Sequence, residues 1–87
     1  MKSFDDLWSE LDQKIAAQDP NSATLKLIQS GVHSIGKKIL EEAGEVWMAA
    51  EYQSEKELAL EISQLLYYLQ VMAMARGLTL EDIYQEL

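Results

Sequence analysis

The stretch from Leu58 to Ala75 constrains the fold most, because nearly all of its side chains are apolar. Its few polar side chains are Glu61, Ser63, Gln64, Gln70 and two tyrosines. A helix that is apolar almost all round has to be buried on most of its sides. The chain has only 87 residues, which make one small domain with one small core. The stretch therefore predicts a homodimer or a larger assembly with this helix at its centre.

The first half of the sequence has the apolar spacing of helices. Apolar residues between Phe4 and Ile15 recur every three or four positions, which predicts an amphipathic helix with Ser3 as its N-cap. Residues 19–22 have the composition of a turn. A second helix is predicted over about residues 23–52. We expect it to break or kink at Gly31, because glycine destabilises a helix interior.

Two further helices are predicted in the second half. Ser54 begins a third helix with the sequence of a capping box, and Gly77 ends that helix. Thr79 then caps a short last helix over residues 80–87. Within the second helix, Gly44 predicts that another segment packs closely against the backbone. No run of alternating polar and apolar residues is long enough for a strand.

These elements predict a single all-α domain over residues 1–87. The loop between the second and third helices is short, so the two helices should form an antiparallel hairpin. Short N- and C-terminal helices flank that hairpin. The hairpin is expected to form a helix bundle with a second subunit.

Composition excludes several classes of function. The chain has no cysteine, which excludes disulfides, cysteine-based zinc or iron–sulfur sites and a cysteine nucleophile. Its net charge of −8 argues against binding to nucleic acids or anionic membranes, which requires a basic surface. No targeting segment is visible, and the longest apolar stretch, about residues 65–75, is predicted to be too short to span a membrane. We expect a cytoplasmic protein.

The negative charge begins abruptly in the middle of the chain. Residues 1–40 carry five basic and five acidic side chains, whereas residues 41–87 carry two basic and ten acidic ones. The change begins at Glu41, shortly after Lys37 and Lys38. This boundary indicates a local chemical role for the acidic side chains.

Glu41, Glu42 and Glu45 lie with Lys38 within an arc of about 100° on one face of the second helix. Like charges four residues apart destabilise a helix slightly, and a bound cation removes that repulsion. Carboxylate oxygens suit Mg²⁺, which keeps several waters and leaves room for substrate phosphates. A glutamate-rich face that is simply solvated is the alternative interpretation of these three residues.

Glu61 favours the metal site over that alternative. Its neighbours are apolar, and a buried carboxylate is destabilising unless it is protonated, paired with a lysine or bound to a metal. With a turn near Gln53, Glu45 and Glu61 are each eight residues from the turn, so the hairpin brings them level. Gln64 faces the same way. Four converging carboxylates therefore predict a Mg²⁺ site.

The four glutamates resemble the metal motif of the all-α nucleoside triphosphate pyrophosphatase superfamily. Further segments, which together cover nearly the whole chain, resemble the phosphoribosyl-ATP pyrophosphatase family. They are residues 20–25 (PNSATL), Gly31, residues 38–46 (KILEEAGEV), Ala49–Ala50, residues 61–67 (EISQLLY) and residues 76–82 (RGLTLED). The glutamate motif is common to the superfamily, and its combination with the other segments is more specific.

The resemblance implies a dimer of helical hairpins that hydrolyses phosphoribosyl-ATP to phosphoribosyl-AMP and pyrophosphate. This reaction is the second step of histidine biosynthesis and depends on Mg²⁺. The resemblance also implies that Glu41, Glu42, Glu45 and Glu61 are metal ligands, and that Lys38 faces the phosphates.

Two residues depart from the family pattern. The family usually has Asp at the position of Gln64 and His at the position of Tyr68. The Gln64 side chain offers an amide oxygen to a metal but carries no charge. We therefore expect Gln64 either to bind a metal weakly or to contact it indirectly.

The catalytic residues are predicted from the chemistry of hydrolysis. No grouping of Ser, His and Asp is evident, so a covalent intermediate is not indicated. A general base is still required, and we expect Glu42 or Glu45 to supply it. Lys38 is expected to assist by adding positive charge near the phosphates.

Four residues are predicted to contact the substrate, and each also has a simpler interpretation. Lys37 and Lys38 either bind phosphate or are ordinary solvated lysines. Ser22 and Thr24 either cap the second helix alone or also contact ribose or phosphate.

Two other functions stay open on the sequence alone. The first is hydrolysis of a free ribo- or deoxyribonucleoside triphosphate on the same fold, because the glutamate motif does not separate these substrates. The second is a non-enzymatic helical dimerisation module, in which the acidic cluster has no chemical role.

Overall fold

A computed structural model describes all 87 residues, and the chain folds into five helices without a strand. The helices are α1 Phe4–Ala17, α2 Ala23–Ser30, α3 Val32–Tyr52, α4 Glu55–Ala75 and α5 Leu80–Tyr84. The prediction of an all-α fold is confirmed. The last helix is shorter than predicted, because it ends at Tyr84.

The break at Gly31 is confirmed and divides the predicted second helix into α2 and α3. Gly31 has φ 96° and ψ 167°, a backbone conformation that is essentially restricted to glycine. The Ser22 hydroxyl accepts a hydrogen bond from the Leu25 amide at 3.2 Å and so caps α2. The glycine therefore lets two short helical segments meet at an angle that one continuous helix could not adopt.

The packing of α3 against α4 forms the predicted antiparallel hairpin. Only Gln53 and Ser54 connect the two helices, and the Ser54 hydroxyl accepts from the Glu57 amide at 3.2 Å. The reciprocal bond of the predicted capping box does not form. At the other end, Gly77 has φ 75°, and the Leu78 amide donates to the Ala73 carbonyl at 2.9 Å. This is the glycine-dependent helix end that the sequence predicts.

The expected close packing at Gly44 is wrong within the chain. A Cβ atom added at this position would meet nothing within 4 Å. At about 100° per residue, Gly44 lies roughly 160° from the line of α3 that faces α4. The residue therefore points away from the hairpin.

The core is small and lies where α1, α3 and α4 meet. Its fully buried members are Leu11, Ile35 and Val71, one from each of these helices. Only 8 of the 87 residues are buried, so the chain by itself leaves much apolar surface exposed. Met72 and Met74 pack against this core, whereas Trp47 is 70% exposed.

Exposed apolar side chains follow one side of α4. Ile62, Leu66 and Leu69 are all exposed, and their spacing puts them on one face of the helix. We call these three residues the α4 stripe. On α3, Leu40 and Trp47 are also exposed and lie seven residues apart, which again corresponds to one side of a helix.

The hydropathy of α4 bears on the prediction that the apolar stretch at about residues 65–75 is too short to span a membrane. The helix has 21 residues, and its most apolar window has a mean hydropathy of 1.3. By length and composition alone it qualifies as a candidate span. Residues 65–75, on which that prediction rests, make up about half of this helix. Core helices of soluble proteins pass the same test, so the feature is weak evidence of a membrane span.

Substituting the two contrasting glycines tests this account of the fold. Gly31→Ala should lower the free energy of unfolding by about 1–3 kcal/mol, because alanine is strained at this positive φ. Gly44→Ala should instead raise it by up to about 1 kcal/mol, because this helix interior has room for a methyl group. Urea unfolding at one fixed protein concentration measures both changes. Equal effects of the two substitutions would contradict the account.

Candidate metal centre and the adjoining cavity

Three carboxylates converge between α3 and α4. One oxygen from each of Glu42, Glu45 and Glu61 lies within 4.8 Å of the others. Glu42 and Glu61 are partly buried, and Glu45 is exposed. The hairpin produces this arrangement because Glu45 and Glu61 are equally far from the turn, and Glu42 lies one helical turn before Glu45. We call these three residues the carboxylate centre.

Glu41 lies outside the carboxylate centre, although the sequence grouped it with the other three glutamates. The buried residues Ile35 and Ala49 mark the line of α3 that faces its neighbours. Glu42 lies within about 20° of that line, Glu45 about 60° away and Glu41 about 100° away. The Glu41 carboxylate instead lies 3.7 Å from the Lys38 ammonium on the exposed surface.

Gln64 joins the two carboxylates that belong to different helices. With its amide nitrogen facing them, the side chain donates to Glu61 Oε2 and to Glu42 Oε2, each at 3.2 Å. Both acceptors are negatively charged when ionised, so these bonds are charge-assisted. Rotation of the amide by half a turn would present its oxygen to the same position, where a cation could accept it as a ligand.

Burial and the proximity of these groups raise the pKa values of Glu42 and Glu61. The pKa of Glu42 is raised to about 7, first because burial desolvates its carboxyl group and then because Glu45 and Glu61 lie beside it. The pKa of Glu61 is also raised, first by its hydrogen bond with Glu45 and then by burial. Without a cation the centre therefore carries more negative charge at neutral pH than its surroundings compensate.

The donor set fits a hard divalent cation such as Mg²⁺. It consists of three carboxylate groups and one amide, and it contains no sulfur or imidazole ligand. Mg²⁺ prefers oxygen ligands and is commonly held by a few carboxylates together with water. The pKa of Glu42 is raised first by burial and then by the two neighbouring carboxylates, whose negative charge a cation would neutralise. Glu42, Glu45, Glu61 and Gln64 are thus the residues able to hold it.

A cavity of about 590 Å³ adjoins the carboxylate centre. Glu42 and Gln64 line it together with two aromatic rings, those of Tyr67 and Tyr68, which meet edge to face with centroids 5.1 Å apart. The remaining lining residues are Lys2, Ser3, Phe4, Leu7, Ser63 and Leu66. The contribution of α1 was not predicted from the sequence. It depends on packing of the start of the chain against α4, and the lining residues from these two segments are more than 50 positions apart in the sequence.

The two hydroxyl residues of the α2 segment already have structural partners. Ser22 caps α2, and Thr24 is 4% exposed. The Thr24 hydroxyl lies 2.8 Å from the Tyr67 hydroxyl, so it contacts a residue of the cavity wall. The structure therefore explains both residues without a ligand, and their contact with substrate stays a prediction.

Lys37 and Lys38 lie on different sides of α3. Lys38 lies about 40° from Glu42 on the side of the carboxylate centre, whereas Lys37 lies about 140° from Glu42. Both side chains are exposed. Of the two, Lys38 is the one that a substrate at the carboxylate centre could reach directly.

The pH dependence of stability tests the charge repulsion in the centre. The raised pKa means that folded Glu42 holds its proton more tightly than the unfolded chain does, so stability falls as pH rises from about 4.5 to about 7. In the presence of EDTA, Glu42→Gln should flatten this fall and raise the free energy of unfolding at pH 7.5 by roughly 1 kcal/mol. Thermal unfolding of both proteins between pH 5 and 8 measures these two changes.

Glu41→Gln is the matched control, because Glu41 lies on the same helix outside the carboxylate centre. It should leave the slope of stability with pH unchanged. The same flattening in both variants would show that net charge rather than the cluster controls the slope.

Comparison with known proteins agrees with the geometry of the site. The chain matches the family described as phosphoribosyl-ATP pyrophosphohydrolase over residues 4–87. A phosphoribosyl-ATP pyrophosphatase of Salinibacter ruber (strain DSM 13855 / M31) is 55% identical over 87 residues, which are the full length of both chains. The family consists of hydrolases, so the alternative of a non-enzymatic dimerisation module is set aside. The chain belongs to the phosphoribosyl-ATP pyrophosphohydrolase family.

Proposed function

We propose that this enzyme hydrolyses phosphoribosyl-ATP to phosphoribosyl-AMP and pyrophosphate with Mg²⁺ as its cofactor. In a cell this reaction would be the second step of histidine biosynthesis. The observation that supports the proposal most is the carboxylate centre, which joins two helices beside a cavity large enough for a nucleotide. The family and the full-length relative support phosphoribosyl-ATP as the substrate.

The carboxylate centre would hold the cation through Glu42, Glu45 and Glu61, with Gln64 and the more distant Glu41 as further candidates. When bound, Mg²⁺ neutralises phosphate charge and makes water more acidic. This is needed because a substrate with several negative charges approaches a protein with a net charge of −8. The glutamates thus convert a repulsive surface into one that binds phosphate.

The remaining roles follow from the positions of the side chains. Glu42 or Glu45 would act as general base and accept a proton from the attacking water. A carboxylate with a pKa near neutrality suits that task, and the pKa of Glu42 is about 7 without a cation. Lys38 would stabilise negative charge that develops on the phosphates.

Substrate binding beyond the reacting phosphates is proposed for three further residues. Lys37 would supply positive charge from the exposed side of α3. Ser22 and Thr24 line a second cavity of about 280 Å³. Their hydroxyl groups would donate hydrogen bonds there to ribose hydroxyl groups or phosphate oxygens. Thr24 would act mainly through Tyr67, whose hydroxyl it contacts.

The proposal is tested by pyrophosphate release from phosphoribosyl-ATP, ATP, dUTP and dCTP, each with and without Mg²⁺. Release from phosphoribosyl-ATP alone, and only with Mg²⁺, is the expected result. Glu61→Gln should slow this release by about 100-fold, which is the order of loss when one electrostatic stabiliser is removed. Glu57→Gln, on the same helix and with the same change of charge, should remain active. Release from a free triphosphate instead would overturn the substrate assignment.

The functional form of the enzyme is proposed to be a homodimer in the cytoplasm, bound to neither nucleic acid nor membrane. The α4 stripe supports this, because exposed apolar side chains in a row mark an interaction surface. A second copy that packs against it would also bury the helix that the sequence predicts to be central.

Sedimentation equilibrium tests the dimer directly. Wild-type protein should have twice the mass of the chain at micromolar concentration. Ile62→Glu, which adds a charge to the α4 stripe, should shift the equilibrium toward the monomer by at least tenfold in the dissociation constant. Glu55→Gln on the same helix should not. A wild-type monomer at these concentrations would contradict the proposal.

A further inference from the structure

The start of α1 contributes one part of the cavity wall, and it brings the only cationic side chain there. Among the residues that line the cavity, Lys2 alone carries positive charge, whereas Glu42 carries negative charge. Phe4, Tyr67 and Tyr68 line the same cavity, so the positive charge shares it with aromatic rings. A cavity with a cation beside aromatic rings has the chemistry that recognises a nucleotide phosphate near its base.

The ammonium group of Lys2 is available to a ligand. Its present partner is the carboxylate of Glu10, which lies eight residues further along the chain, in α1. The two side chains are 55% and 38% exposed, and an ion pair as exposed as this is weak. Glu10 also has a second partner in Lys14, at 3.4 Å. A phosphate group in the cavity would therefore compete for Lys2 without leaving Glu10 unpaired.

The backbone beside Lys2 is fixed, so this lysine does not belong to a loose tail. Gln70 of α4 is 1% exposed, and its amide nitrogen donates to the carbonyl oxygen of Phe4 at 2.9 Å. The Tyr84 hydroxyl of α5 donates to the carboxylate of Asp5. Ser3 closes a capping box at the start of the helix. Contacts from both α4 and α5 thus hold the start of α1 at the cavity.

We propose that Lys2 is a substrate-binding residue, and that its ammonium group binds a phosphate of the nucleotide held in the cavity between α1 and the carboxylate centre. The proposal rests on the proposed function for the identity of the nucleotide. Phosphoribosyl-ATP offers two sources of phosphate oxygens, the triphosphate and the phosphate of the second ribose. The chemistry of recognition is the same for both.

Steady-state kinetics of three variants test the proposal. Lys2→Met should raise KM for phosphoribosyl-ATP by about tenfold, the order of effect of one hydrogen bond to a charged group, with kcat changed by less than about twofold. Lys2→Arg should restore most of the affinity. Glu10→Gln is the matched control, because it removes the same ion pair but keeps the ammonium group. It should leave KM unchanged or lower it.

A fourth variant controls for overall charge. Lys26→Met makes the same change in net charge on α2, outside the cavity wall, and should leave KM unchanged. If Lys2→Met behaves like Lys26→Met, or if Glu10→Gln raises KM as much as Lys2→Met does, the proposal is overturned. The first result would make Lys2 an ordinary surface charge, and the second would make the ion pair a purely structural feature.

Calorimetric binding of the two products keeps the test independent of turnover and distinguishes the sources of phosphate. Weaker binding of pyrophosphate to Lys2→Met would assign Lys2 to the β- and γ-phosphates of the triphosphate. Weaker binding of both phosphoribosyl-AMP and AMP would assign it to the α-phosphate, and weaker binding of phosphoribosyl-AMP with unchanged binding of AMP would assign it to the phosphate of the second ribose. Unchanged binding of both products would overturn the proposal. Wild-type protein that binds these products but does not hydrolyse phosphoribosyl-ATP would instead contradict the proposed function alone.

Discussion

The packing of α3 against α4 is the contact on which the rest of the molecule depends. Both helices have 21 residues, and a connection of only two residues fixes their register. Ile35 and Val71, which are fully buried, hold the two helices together at the end far from the turn. The same register brings Glu45 level with Glu61. The apolar contact at one end of the hairpin thus determines the geometry of the acidic cluster nearer the turn.

That geometry opposes the stability of the isolated chain. Three carboxylates within 4.8 Å of one another repel when ionised. The pKa of Glu42 is raised first by burial of its carboxyl group and then by this repulsion. The core that has to offset this repulsion is small, because only 8 residues are buried. A cation at the centre would reduce the repulsion between the carboxylates. A second subunit on α4 would bury apolar surface that the small core leaves exposed. The arrangement fits the proposed binding of a cation and a second subunit better than it fits the stability of one chain.

The sequence predicted what depends on local spacing. Gly31 marked the break between α2 and α3, and the distance of Glu45 and Glu61 from Gln53 predicted their juxtaposition. Glu41 lies outside the carboxylate centre because an arc of 100° on a helix is wider than the space that faces one neighbouring helix, and its role as a ligand stays a prediction. The prediction of close packing at Gly44 is wrong within the chain, because a glycine in a helix interior does not reveal which side of the helix it faces.

The part of the cavity wall that α1 contributes could not be predicted from local patterns. It depends on the hydrogen bond from Gln70 to the Phe4 carbonyl, which joins residues 66 positions apart. The one signal of this contact in the sequence was Gln70, a polar residue between Leu69 and Val71. It indicated a polar partner without identifying it. Long-range packing of this kind decides which surface residues, such as Lys2, border a site.

Calorimetric titration of Mg²⁺ into the substrate-free protein tests the central claim, which is that the register of the α3–α4 hairpin builds a cation site. The account predicts binding to the wild-type protein that weakens by at least tenfold in Glu61→Gln and remains nearly unchanged in Glu57→Gln. Glu57 lies on the same helix one turn earlier, so both substitutions change the charge of α4 equally. Equal weakening by the two would contradict a defined site and reduce the cluster to diffuse negative charge.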